Sequence, residues 1–323
     1  MLQEMWSGAL SLLVIAYLFL GGAGAGALLI LSLLDLCTPE ASSAKEAPAL
    51  AGGAAQPRNA AVNRSYRPQR LYSSFFAPGF LLAASVLVLS SLCLLFDLGH
   101  PGRVLNLFLR PTLSYLSFGT YALAAAVICG AFLAALWVMP LSRLPRKAVR
   151  CVECLGILAS LVLIGYTGFL LYSMGAATLL GSLLVPLLFV LSALSCGIAL
   201  LFLLAGLNGA ATAYLATLSR LGRLDSLLIG LELVVLAAFV ALSLRGGNNS
   251  DGALGLLQGP EAAIFFLVLV CCGLLLPLLL ENMRRLRFKN TLIPASLAVL
   301  TGGFALRWWL VQVGFPAFVP GVV

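Results

Sequence analysis

The residues Asp97-Leu98-Gly99-His100-Pro101-Gly102-Arg103 bring together an acid, the only histidine of the chain and a guanidinium. Gly99, Pro101 and Gly102 force the backbone to turn there. Apolar runs long enough to cross a bilayer lie on either side, over residues 75–96 and 115–138. A cluster of polar side chains at one membrane surface suits proton exchange, since an unperturbed histidine titrates near about pH 6.5. The competing reading is a histidine that is merely solvated.

Other ionisable groups sit where lipid makes them costly. Asp97, Asp225, Glu232 and Arg307 all fall in or beside apolar runs. Such charges usually face a bundle interior and mark pathways or relays. Glu232 follows Asp225 by about two helical turns, so both fit one helix face. A structural ion pair, Glu232 with Arg307 or Asp225 with Arg223, competes with a functional role. For Asp225, at an expected helix start, the pairing of an acid with the helix dipole is the better reading; for Glu232 the two readings stand level. Tyr17 and Tyr166 lie inside spans. A phenol there can bond a ligand carbonyl or hydroxyl, but position alone favours a structural role, either a bond to a neighbouring backbone carbonyl or a place at the headgroup level. Trp6, Trp308 and Trp309 read as interfacial anchors.

Two tempting motifs fail on context. Gly21-Gly22-Ala23-Gly24-Ala25-Gly26 is not a dinucleotide fingerprint, because no strand precedes it and the run is transmembrane. Small residues four apart, Gly22 and Gly26, instead let helix backbones touch in lipid. Cys151-Val-Glu-Cys154 has no second such pair and no nearby histidine, so it reads as a helix start and not a metal site. With one histidine, in a loop, the protein cannot hold a haem between two membrane histidines.

The elements that position these residues are membrane helices. The chain has 323 residues, 62% hydrophobic and 9% charged, against about 25% charged in soluble domains. Its mean hydropathy is +1.09. A hydrocarbon core ~30 Å thick takes about 20 apolar residues per helix, and lipid demands that backbone bonds be closed within the span. The fold class is an all-α integral membrane protein. Eight transmembrane helices are expected, over residues 5–36, 75–96, 115–138, 151–174, 183–206, 224–244, 262–280 and 291–311, grouped as two four-helix bundles. Lys and Arg number fifteen in the connections after the odd spans and four on the opposite face. That asymmetry puts both termini outside. It also explains the net charge of +8 without a nucleic-acid partner. Residues 38–69, rich in Ala, Pro, Ser and Gly, read as a poorly ordered cytoplasmic linker.

These residues resemble a known family. Trp6 with Tyr17-Leu-Phe-Leu-Gly-Gly-Ala-Gly-Ala-Gly26 is similar to the first helix of the NrfD/polysulfide-reductase membrane subunits. Asp97-Leu-Gly-His-Pro-Gly-Arg103, Leu105-Asn106 and Ser114-Tyr-Leu-Ser-Phe-Gly119 resemble its second-to-third helix signature. Tyr166-Thr-Gly-Phe-Leu-Leu171 resembles its fourth helix, and Arg307 to Gly314 its last. Phe118 departs from the family's usual tryptophan.

The resemblance implies a haem-free, eight-helix subunit of a bacterial or archaeal cytoplasmic membrane, with no metal of its own. It would exchange quinol and quinone, menaquinone included, with the membrane pool. Its partners would be a ferredoxin-like iron–sulfur subunit docked outside and a molybdopterin catalytic subunit or a multihaem cytochrome. Carried over by position, Tyr17, Tyr166, Asp97, His100 and Arg103 are the candidates for the quinone pocket; beside them, the charges placed in or next to spans make Asp97, Glu232 and Arg307 the candidates for a proton relay. The alternatives are a secondary transporter and a structural anchor without a quinone site.

Overall fold

The computed structural model of the chain describes residues 2–37, 70–97, 115–139, 145–174, 181–208, 215–245 and 262–314. His100, Arg103 and the 38–69 segment lie outside them. The described residues are helical almost throughout. In chain order the helices are α1 (Leu2–Cys37), α2 (Arg70–Asp97), α3 (Tyr115–Val138), α4 (Arg146–Met174), α5 (Leu184–Leu207), α6 (Leu215–Arg245), α7 (Ile264–Leu275, π-helical) and α8 (Leu276–Gly314).

Seven stretches are long and apolar enough to cross a membrane: Leu12–Cys37, Phe75–Asp97, Phe118–Val138, Lys147–Ser173, Leu184–Leu207, Leu218–Leu244 and Thr291–Val311. Ile264–Leu280 is a shorter apolar helix. Large side chains such as Leu81, Ile128, Leu227 and Leu267 are exposed around these helices. In a membrane such an apolar perimeter meets acyl chains, so it needs no partner protein to cover it.

Three helices, α2, α4 and α6, begin five or more residues before the expected spans. α4 starts at Arg146, so Cys151 and Cys154 lie one and two turns inside it and not at its start. α6 starts at Leu215 and includes the exposed Arg220 and Arg223. Hydropathy marks the part of a helix that fits the bilayer; a polar first turn in headgroups or water is equally helical and leaves no such mark.

The helices form two groups, α1–α4 and α5–α8, joined where α1 and α4 pack on α5. Glycines make the central seam. A Cβ on Gly26 would strike the Ala193 carbonyl, and one on Gly197 would strike the backbone of Gly26 and Ala27. The glycine run in α1 therefore serves close packing, as its spacing predicts. Gly273 and Gly302 likewise put α7 and α8 in backbone contact. A straight helix would separate these two residues by about 43 Å, so the chain doubles back between them and closes an antiparallel pair.

Candidate functional site

Two groups of buried polar side chains lie on opposite sides of α1. In the first, α1 presents Tyr17 and α4 presents Tyr166, 2% and 5% exposed. Their hydroxyls are close enough to couple electrostatically, yet neither makes a hydrogen bond of acceptable length and angle. Three small residues permit the arrangement. Ser90 of α2 donates its hydroxyl to the Tyr17 carbonyl at 3.1 Å. Gly21, whose Cβ would stand 3.0 Å from Ser90 Oγ, lets α2 approach. Gly119 of α3 has no side chain because the Tyr166 ring occupies that place. The result is a pair of phenols, able to donate or accept, aimed at each other inside lipid-embedded helices. Neither hydroxyl bonds a backbone carbonyl, the first of the two structural roles expected of them.

The second group centres on Arg307 of α8, which is 0% exposed. Its Nε donates to the Leu18 carbonyl at 3.2 Å, and its Nη1 to the Gly303 carbonyl at 2.7 Å and to Ser192 Oγ at 3.2 Å. The guanidinium is flanked by the rings of Phe19 and Phe189, whose centroids lie 5.6 and 5.3 Å from Cζ. Nη2 points at Gly22 and has no partner. Glu232 of α6, 3% exposed, lies beside Ser192 and within the field of Arg307. One turn along α5, Ser195 donates to Asp225 Oδ1 at 2.7 Å. Asp225 and Glu232 thus share one face of α6, as their spacing predicts, and each lies beside a serine of α5.

Several expectations need correction. Asp225 is ten residues inside α6, not at its start, so the helix-dipole explanation fails; burial beside Ser195 replaces it. Arg223 is exposed. Asp97 is half-buried at the end of α2. It stands about two turns beyond Ser90, on a helix that packs chiefly on α1 and α3. The structure does not bring it to Glu232 and Arg307. Trp309 is core and not an interfacial anchor: it is 2% exposed, with its ring centroid 4.6 Å from that of Phe265. The side chain of Trp6 lies outside the described ones.

A groove of about 540 Å³ opens between α1, α7 and α8, lined by Phe19, Ile264, Val268, Thr301, Phe304 and Trp308. Its walls suit an acyl or isoprenoid tail. Phe19 is about 200° around α1 from Tyr17, so this groove is not the tail slot of a ligand held by the tyrosines.

Sequence reading missed Ser90, Ser192 and Ser195, because a serine in an apolar run looks like any small residue. It also passed over Asp35 and Glu153, both buried. Among the described residues no three His, Cys, Asp or Glu side chains gather as a metal site.

A multi-pass architecture, helical through nearly all the described residues, with a few charged and phenolic side chains held in an apolar interior defines an integral membrane protein. The chain belongs to the family described as polysulphide reductase, NrfD, whose profile matches residues 5–319. It is similar to the NrfD homolog of Haemophilus influenzae, 29% identical over 183 residues, which cover 55% of this protein and 57% of that one. It is also similar to the C subunit of the polysulfide reductase of Wolinella succinogenes, 28% identical over 261 residues, covering 73% and 80%. The matched stretch therefore spans little more than half of the Haemophilus relative.

Proposed function

We propose that this protein is the quinone-binding anchor of a multi-subunit oxidoreductase, passing electrons between the membrane quinone pool and an iron–sulfur partner. The carrying observation is the buried pair Tyr17 and Tyr166, with two phenol hydroxyls facing each other and no bond satisfied. A quinone head presents two oxygens that alternate between acceptor and hydroxyl, and a site for it needs a few convergent polar groups in apolar surroundings. The tyrosines would hold the head and fix its orientation. The bound quinone or menaquinone supplies the two-electron chemistry.

In this reading the protein spans the membrane eight times, with Ile264–Leu280 as the seventh span and both termini outside. It lies in a bacterial or archaeal cytoplasmic membrane. The Asp97–Arg103 turn then faces the exterior, where His100 or Asp97 takes up protons and Arg103 meets the partner or pairs with Asp97. The partner is a ferredoxin-like iron–sulfur subunit wired to a molybdopterin subunit or a multihaem cytochrome. The name of the Wolinella relative, one lettered component of a polysulfide reductase, supports membership in such an assembly. Glu232 and Arg307, joined through Ser192, form a relay within the second helix group.

The test is Tyr166→Phe in the complete complex. Quinol-linked turnover should fall while turnover with an artificial electron donor to the partner is spared. Equal loss in both assays points to misassembly, and no loss in either removes the tyrosine pair from the site.

A further inference from the structure

Tyr17 stands one turn before the glycine-rich part of α1, where Gly21, Gly22, Gly24 and Gly26 follow in close succession. Glycine has the most backbone freedom to lose, so a helix rich in it is weakly self-supporting. Neighbouring helices hold this part of α1 instead, and they grip two consecutive carbonyls. Ser90 of α2 donates to the Tyr17 carbonyl at 3.1 Å, and Arg307 of α8 donates from Nε to the Leu18 carbonyl at 3.2 Å. The glycine one turn on makes room for each donor. A Cβ on Gly21 would stand 3.0 Å from Ser90 Oγ, and one on Gly22 would stand 2.8 Å from Arg307 Nη2. Phe19 closes the grip: its ring lies 5.6 Å from Arg307 Cζ and edge-on to Phe304, with centroids 5.6 Å apart.

A carbonyl oxygen has two lone pairs, so each of these carbonyls keeps its helical partner and accepts the side chain as well. The two side-chain bonds are therefore additional to the helix. They fix the place and rotation of the backbone from which Tyr17 projects. Arginine suits the task on the α8 side. While Nε holds α1, Nη1 of the same planar fork donates to the Gly303 carbonyl and to Ser192 Oγ, so one guanidinium ties α1 to α8 and α5. Lysine has a single nitrogen and cannot reach all three acceptors in that geometry. All three acceptors are neutral oxygens. A charge inside a span is expensive, and an apolar side chain would fill the same space more cheaply, so packing alone does not account for Arg307.

We infer that Arg307 is a positioning residue for the tyrosine site: reaching across from the second helix group, it fixes α1 at Leu18 and thereby sets the Tyr17 hydroxyl against Tyr166. Ser90 does the same from α2, one carbonyl earlier. The inference rests on reading the tyrosine pair as a quinone site. Neither Arg307 nor Ser90 touches the quinone; each acts through the backbone of α1. This task is separate from the relay with Glu232, because it uses Nε, whereas the relay runs through Nη1 and Ser192.

The experiment measures quinol-linked turnover of the complete complex against quinol concentration. Each rate is divided by turnover of a water-soluble dye at the partner, so that loss of assembled complex cancels. The variants are Arg307→Lys, Gly22→Ala, Ser90→Ala and Tyr17→Phe, with each of the first three also combined with Tyr17→Phe. Gly22→Ala keeps the arginine and its charge but puts a methyl where Nη2 lies; it carries the test if Arg307→Lys does not assemble. Each of the first three should raise the quinol KM about two- to tenfold, the worth of one hydrogen bond, with the normalised kcat unchanged. Tyr17→Phe should raise KM as well. In that background the other changes should add nothing, since no hydroxyl is left to place. A merely structural role would lower the amount of complex and leave KM alone. Wild-type KM in Arg307→Lys and Gly22→Ala, where Tyr17→Phe raises it, overturns the positioning role and leaves the quinone site standing. Rises in KM that persist in full beside Tyr17→Phe also overturn it, because Arg307 would then act otherwise than through that hydroxyl. Wild-type KM in Tyr17→Phe removes Tyr17 from the site and the inference with it.

Discussion

Gly119→Ala is the sharpest probe of the tyrosine pair. The added methyl would fall on the Tyr166 ring, at Cε1, Cζ and Cε2. The aromatic ring is not a flexible side-chain end, so either it rotates away or α3 moves outward. Overpacking of this kind costs about 1–3 kcal/mol. Replacing a mid-helix glycine by alanine returns up to about 1 kcal/mol of helix propensity, which leaves a net loss of roughly 0–3 kcal/mol. The effect on function is separate. Moving the phenol away from the quinone head removes one hydrogen bond of about 0.5–1.5 kcal/mol, a roughly two- to tenfold rise in the quinone Kd. Gly165→Ala, on the same helix as Tyr166, is the matched control, since nothing lies within 4 Å of its Cβ position; it should keep wild-type affinity and equal or higher stability. The assay is quinol-linked turnover against quinol concentration, with a thermal melt of each complex. Gly119→Ala with wild-type KM and wild-type kcat would refute the placement of Tyr166 at the quinone head.

Three further outcomes follow from the packing. Gly197→Ala puts a methyl into the backbone of Gly26 and Ala27 and should lower the stability of the α1–α5 seam by about 1–3 kcal/mol, read as a lower melting temperature. Arg307→Met leaves Glu232 buried without its cation and should cost about 3–5 kcal/mol; adding Glu232→Gln should recover part of that loss, which a double-mutant cycle on unfolding in detergent measures. Cys37 and Cys151 are exposed at the ends of α1 and α4 that meet the basic connections, while Cys129 and Cys196 are buried. A membrane-impermeant maleimide should label the first two only in inverted vesicles, and the second two in neither orientation.

Much of the architecture was legible because lipid imposes a simple rule: a span closes its own backbone bonds and shows as an apolar run. The α5 helix, Leu184–Leu207, departs from the expected 183–206 by one residue at each end. The starts of α4 and α6 were not legible, because Arg146–Arg150 and Leu215–Arg223 are helical turns with exposed polar residues that hydropathy cannot separate from loop. The role of Gly26 was readable from spacing, but its partner Gly197 was not, since one glycine in an apolar run carries no periodicity. Of the candidate site, Tyr17, Tyr166, Glu232 and Arg307 stood out as polar groups inside spans. What sequence could not give was their division into two groups on either side of α1. That depends on helix rotation, and an apolar face directed at lipid looks the same in sequence as one directed at a neighbouring helix. Asp35 and Glu153 were overlooked for the related reason that depth in the membrane says nothing about which way a side chain turns.

The most direct measurement is photoaffinity labelling of the assembled complex with an azido-quinone carrying a short isoprenoid tail, followed by peptide mapping. The label should fall on the α1 and α4 peptides that contain Tyr17 and Tyr166 and be displaced by excess menaquinone. Displaceable labelling confined to α6, α7 or α8, with α1 and α4 unmarked, would contradict the account.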